Sequence, residues 1–339
     1  MKSEEKKSIL IILLFSFIFF TTKWYYSYSI FGNEEFIFKI LFDTQDNQYL
    51  PLIKSLSDLN FSPGYSDIYD NLKLLSFPMY GLVFHSILLK IFGYFGIIFY
   101  EMIFIFLLIY IMFLICKALS FNTKQSITFS ILFFTIPLLI ETPLISKIFY
   151  LKHTFESFFF LRYPRPIVTH LLLLAFMYII LNLNKKFILD SQNKILIFSI
   201  FILSFLLNSF YYSFVISSLY IFFIFIYQFW RNKKFISFQN KKKIIFLLLL
   251  FSIISTPFII QLIYGEKDYL IRIGMIDLSF HEKKVFIFDF LKSYFSLKFI
   301  IIFLYLTIFL IYLKIREKKI IYNNFKLFYY FFLSSLVAP

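Results

Sequence analysis

The chain has seven glycines in 339 residues, and none of them stands in a GxxxxGKS/T or GxGxxG pattern. A phosphate-cradling loop of the kind that drives ATP-powered pumping is therefore excluded from this sequence. Cysteine is rarer still. Cys116 is alone, so neither a disulfide framework nor a thiolate metal site can form within the chain. The four histidines, His85, His153, His170 and His281, are scattered without HxxxH spacing. That removes a zinc-hydrolase motif and leaves them as interfacial or packing residues. Charge is sparse too: 16% of residues are Asp, Glu, Lys or Arg, against about 25% in an average soluble domain.

What is present is apolar. Hydrophobic residues make up 60% of the chain and the mean hydropathy is +0.80. Runs approaching the ~20 residues that cross a bilayer recur along the whole length. They are Ser8–Thr22, Ile97–Lys117, Ser126–Ile140, Pro166–Leu183, Ile195–Ser209, Ser213–Trp230, Ile244–Tyr264, Phe299–Leu313 and Leu327–Pro339. The sequence predicts an all-α, polytopic integral membrane protein, a single transmembrane domain over residues 1–339 with about nine spans. The opening MKSEEKK and its apolar run look like a signal peptide, but TTKWYY offers no small-residue cleavage site. Residues 8–26 are read as a retained first span with Trp24, Tyr25 and Tyr26 as its interfacial belt.

Basic residues set the orientation. With the N-terminus cytoplasmic, the short cytoplasmic connectors hold 19 of the 34 Lys and Arg residues but only Glu4, Glu5, Asp190 and Glu317 among the acids. That side carries the whole formal net charge of +15, as the positive-inside rule requires. The lysine runs are read as topology anchors beside anionic lipid, not as a nucleic-acid surface. Met79–Phe92 is apolar but too short to span, so it is placed as a juxtamembrane or re-entrant helix on the outer face. The long segments 27–96, 141–165 and 265–298 then all lie outside, which puts the working surface there. The apolar run that ends at Pro339 has no polar flank, and the expectation is a truncated reading frame.

Two acids stand out in ILFDTQDNQYLPLIKSL (Ile40–Leu56). Asp43 and Asp46 are three residues apart, one face of a helix, and Leu50, Ile53, Leu56 and Leu59 continue at helical spacing, with a bend expected at Pro51. One reading is helix capping by Asp. The other is a general base or metal ligand facing a membrane-embedded donor. A second group lies in LKHTFESFFFLRYPRP (Leu151–Pro166), where Arg162 and Arg165 flank an aromatic. Guanidinium forks suit phosphate oxygens; interfacial snorkelling is the alternative. A third, at 265–298, holds Lys267, Arg272 and His281. It reads as another outer juxtamembrane helix, a solvated amphipathic face or a weaker acceptor or lipid-head site.

From Ser8 to about Gln125 the order of features resembles the GT-C superfamily of polyprenyl-phosphate-sugar-dependent glycosyltransferases, of the protein-mannosyltransferase and aminoarabinose-transferase type. That family opens its large first outer loop with Asp-Glu, followed by an aromatic, and later has Pro-Pro-Leu leading into a helix that ends Leu-Phe-Gly. Here Asp46 stands three residues before Tyr49, Phe77-Pro78-Met79 takes the Pro-Pro-Leu place, and ILLKIFG ends at Gly93. The chain departs from the family in reading Gln45-Asp46 for Asp-Glu, and in Glu101 where an Arg is common. The resemblance implies sugar transfer from a polyprenyl-phosphate carrier, with Asp46, the one acid that matches in position, as catalytic base or ligand of a possible divalent metal and Tyr49 as the aromatic beside it. Asp43 joins as a second catalytic acid on helical geometry, and Arg162 and Arg165 are read as binding the donor phosphate. It also implies the bacterial inner membrane, with the active face extracytoplasmic. The rival readings are an O-antigen polymerase or ligase, a lipid flippase or transporter, and an inactive homologue.

Overall fold

The computed structural model describes residues 3–31, 49–61, 80–140, 167–183, 193–231, 238–264 and 297–315. Positions 279, 281, 282, 284, 285, 288, 325, 326 and 329–331 are described as well. Among the described residues the chain is helical, with no strand. The helices are α1 (Ser3–Phe31), α2 (Tyr49–Ser57), α3 (Tyr80–Ala118), α4 (Thr123–Ile140), α5 (Ile167–Leu183), α6 (Asn193–Leu207), α7 (Tyr211–Arg231), α8 (Phe238–Tyr264) and α9 (Leu297–Ile315). Each apolar run read from the sequence up to Leu313 falls on one of them. Among the described residues two segments, Phe99–Ala118 and Lys242–Tyr264, are long and apolar enough to cross a membrane.

The chain divides into two compact units. In the unit that contains α1 to α4, α3 is the central element and touches the other three. It is not one rod. Gly93 has φ 66° and ψ −167°, a combination essentially restricted to glycine. A continuous helix would separate His85 from Phe104 by roughly 28 Å, yet their rings lie 5.9 Å apart. Phe84 and Phe104 are 5.7 Å apart, and Phe92 and Tyr100 5.5 Å. The short arm, Tyr80–Phe92, therefore folds back along the long arm, Tyr94–Ala118. Gly96 completes the reversal, because a Cβ there would overlap the Phe92 Cβ.

The long arm passes to α4 through a tight turn with Ser120 at φ 72°. Asn122 and Gln125 then cap α4 reciprocally: the Gln125 amide donates to Asn122 Oδ1 (2.8 Å) and the Asn122 amide to Gln125 Oε1 (3.3 Å). A hydrogen bond of 3.2 Å between Lys117 Nζ and Thr123 Oγ1 spans the same turn. In the second unit, α6 packs on α7 and on α8. Its core joins Leu207 to Phe258, with Phe214 and Phe251 stacked at 5.8 Å. Described positions from 281 to 288 are helical, as the sequence predicts for a helix within 265–298. Ser279 and Glu282 form their capping box, and the Ser279 hydroxyl and amide hold the Glu282 carboxyl below its ordinary pKa.

Polarity runs inside out. On α1 the buried positions include Ser8, Ile12 and Ser16, while Leu10, Leu14, Phe17 and Ile18 are exposed. On α6 Ser199 and Ser204, and Asn208 just after it, are buried alongside Leu196, Ile202, Leu203 and Leu206, while Phe198 and Phe201 face outward. On α8 Ser255 and Gln261 are buried, and Ile245, Leu249, Ile253 and Ile263 are exposed. A water-soluble helix hides its apolar stripe; small and polar residues at helix contacts are the rule where lipid is the solvent. Several of these hydroxyls donate to carbonyls of their own helix, as Ser8 does to Glu4 (2.8 Å) and Ser16 to Ile12 (2.8 Å).

Candidate functional site

The segment that follows the two candidate acids folds as α2, and its sequence explains why. Pro51 lies in the first turn of Tyr49–Ser57, where a missing amide proton costs nothing; the residues before Tyr49, to which the expected bend would join this helix, lie outside the described residues. Leu52, Ile53 and Leu56 are buried where α2 packs on α3. Burying each contributes roughly 1.5–3 kcal/mol. Lys54 and Asp58 pair at 3.0 Å on the solvent side, a half-exposed i,i+4 contact worth only about 0.3–0.5 kcal/mol.

The apolar face does not extend to Leu59 as the spacing predicts. Leu59 is exposed at φ 61°, because the chain leaves the helix in a Schellman-type turn closed by the Asn60 amide on the Ser55 carbonyl (3.0 Å). Lys90, on the short arm of α3, donates to the Ser57 carbonyl at 3.0 Å. A cation at that end of a helix suits the macrodipole. Tyr49, the aromatic after Asp46, is the first residue of a helix pinned at its other end to the hairpin.

Below Lys90 the hairpin encloses two polar residues that the sequence leaves unremarked as a pair. His85 and Glu101 each stand eight residues from Gly93, one on each arm, and both are almost completely buried. Across the hairpin the His85 ring lies beside Phe104, three residues beyond Glu101 on the long arm. Phe84, Tyr100 and Phe104 pack around this contact. The signal in the sequence was two ionisable side chains in otherwise apolar runs on either side of Gly93.

Asp43, Asp46, Arg162 and Arg165 lie outside the described residues, as does the Tyr49 side chain. Lys267 and Arg272 do too, whereas His281 is exposed on the capped helix. The structure thus supplies the docked helix next to the acids, and the acids' pairing with the arginines rests on the sequence. The metal expectation rests on the same two acids; among the described residues no three His, Cys, Asp or Glu side chains cluster. No protein-family model, curated protein or solved structure matches the chain.

Proposed function

We propose that this chain is an integral membrane glycosyltransferase of GT-C type, moving a sugar from a polyprenyl-phosphate carrier to a hydroxyl or amine acceptor on the extracytoplasmic face. The observation that carries this reading is α2. An amphipathic helix begins three residues after Asp46 and is docked on a hairpin whose long arm can cross a bilayer. Such a helix can hold its N-terminal neighbours at the membrane lip, where a lipid-held donor meets a water-borne acceptor. The inside-out polarity of the helices supports the membrane setting.

In this mechanism the Asp46 carboxylate takes the acceptor proton as the acceptor atom attacks the anomeric carbon. The bond between that carbon and the phosphate oxygen breaks, and the lipid phosphate leaves with the electron pair. Arg162 and Arg165 neutralise the departing charge. Lys at either position keeps the charge and loses the fork. Arg162→Lys and Arg165→Lys in the full chain should therefore each weaken donor use, raising the apparent donor KM about tenfold. Donor-dependence curves check it, and unchanged KM in both variants returns the pair to snorkelling.

Orientation is testable separately. Cysteine placed at position 67 should react with a membrane-impermeant thiol reagent in intact cells, and cysteine at 242 only after permeabilisation. Cys116 is buried. The reverse labelling pattern overturns the orientation. A second reading, lipid translocation without transfer, draws on the buried His85 and Glu101, since intramembrane ionisable groups mark proton or substrate paths. Sugar turnover by purified full-length protein separates the two.

A further inference from the structure

The second unit holds a cavity of about 290 Å³ bounded by α6, α7 and α8 and the end of α5. Its volume is roughly twice that of an apolar cavity that admits benzene. The walls are apolar, with Leu203, Phe214, Ile221 and Phe251 among them. Of the two serines on the lining, Ser199 already donates its hydroxyl to the Ile195 carbonyl at 2.9 Å. A hydrocarbon chain fits such a surface; a sugar does not, because its hydroxyls would lose water without gaining partners.

The cavity does not end in apolar surface. A second recess of about 390 Å³ shares Leu196 and Leu247 with it and is lined by Lys242 and Lys243. Leu196 and Leu247 line both recesses at this end and Leu207 packs with Phe258 at the other, so α6 and α8 run parallel with their basic, N-terminal ends together. From these facts we infer that the α6–α8 groove is a binding site for an anionic phospholipid. One acyl chain lies in the apolar cavity, and the headgroup phosphate is held at Lys242 and Lys243. Charge complementarity selects this occupant: two ammonium groups at the mouth of a chain-sized apolar slot match a phosphate on a fatty chain. On the orientation proposed above, the lipid comes from the cytoplasmic leaflet, the side opposite the candidate acids.

The inference rests on the membrane setting but not on sugar transfer, and the experiment keeps those apart. Full-length protein in nanodiscs is photolabelled with a diazirine-tagged phosphatidylglycerol, and in parallel with the matching phosphatidylcholine. Phosphatidylglycerol should label α6–α8 several-fold more strongly. Lys242→Gln and Lys243→Gln should each lower that preference about fivefold, with phosphatidylcholine labelling unchanged. Raising the salt to about 0.5 M should erode the preference in the same way, a readout that needs no variant. Equal labelling by the two lipids, or a preference retained in the double Gln variant, overturns the site. Carbonate extraction of the same membranes tests the setting alone: release of the protein there sinks the membrane reading, whatever the labelling.

Discussion

Asp46→Asn should lower sugar turnover roughly 10²–10⁴-fold, the range that a positioned general base contributes. Folding should hardly respond, since Asn caps a helix about as well as Asp. The two outcomes separate the readings that the sequence leaves open. A capping Asp predicts near-parental rates in both Asp46→Asn and Asp43→Asn. A base at Asp46 with Asp43 assisting predicts a large loss in the first and a smaller one in the second. Equal losses would mean that the two acids act as one unit, as when they share a metal. Turnover of the full-length protein decides it, with thermal unfolding in detergent measured alongside. Near-parental rates in both variants would end the catalytic assignment.

The largest stability effect is expected at the reversal in α3. Gly96→Ala puts a methyl group where the Phe92 Cβ already sits, and neither atom is the far end of a flexible chain. The arms must part, at a cost of about 3 kcal/mol. At Gly93 there is room for a Cβ, but the positive φ is strained for any other residue, so Gly93→Ala should cost about 1–3 kcal/mol. The two losses should not add, because both act on one turn. Unfolding in detergent gives the energies. Geometry is read by cysteines at 84 and 104, whose parent rings lie 5.7 Å apart. A short bis-maleimide should bridge them in the parent and far less in Gly96→Ala. Bridging at parental yield, with unchanged stability, would show that the arms do not depend on this contact.

The helices were legible because apolar runs of this length have few other ways to satisfy their backbone. Their inner faces were not. With Leu, Ile and Phe on every side, period gives no direction, and it is Ser8 and Ser16 on α1, Ser199 and Ser204 on α6 and Ser255 on α8 that lie on the buried side, while Ser252 is exposed. The hairpin was half legible: Met79–Phe92 was too short to be a span of its own, which set it apart from the apolar run that follows as a juxtamembrane or re-entrant helix. Nothing in KIFGYFG distinguishes a reversal from a kink, however, because that depends on the backbone angles at Gly93. At the candidate site, Ile53 and Leu56 follow the helical spacing, while Leu59 fails it because the turn intervenes. The acids and arginines themselves remain a reading of residue chemistry and order.

The bond from Lys90 to the end of α2 has a mechanical meaning. Lys90 stands three residues from the fulcrum at Gly93, and through it the short arm grips a helix whose opposite tip is Tyr49. A few degrees of rocking at the glycine would be carried along this lever and raise or lower that tip against the lipid surface. The position of that tip would then be set by one backbone joint, and whatever binds beside α2 would push back on the same joint.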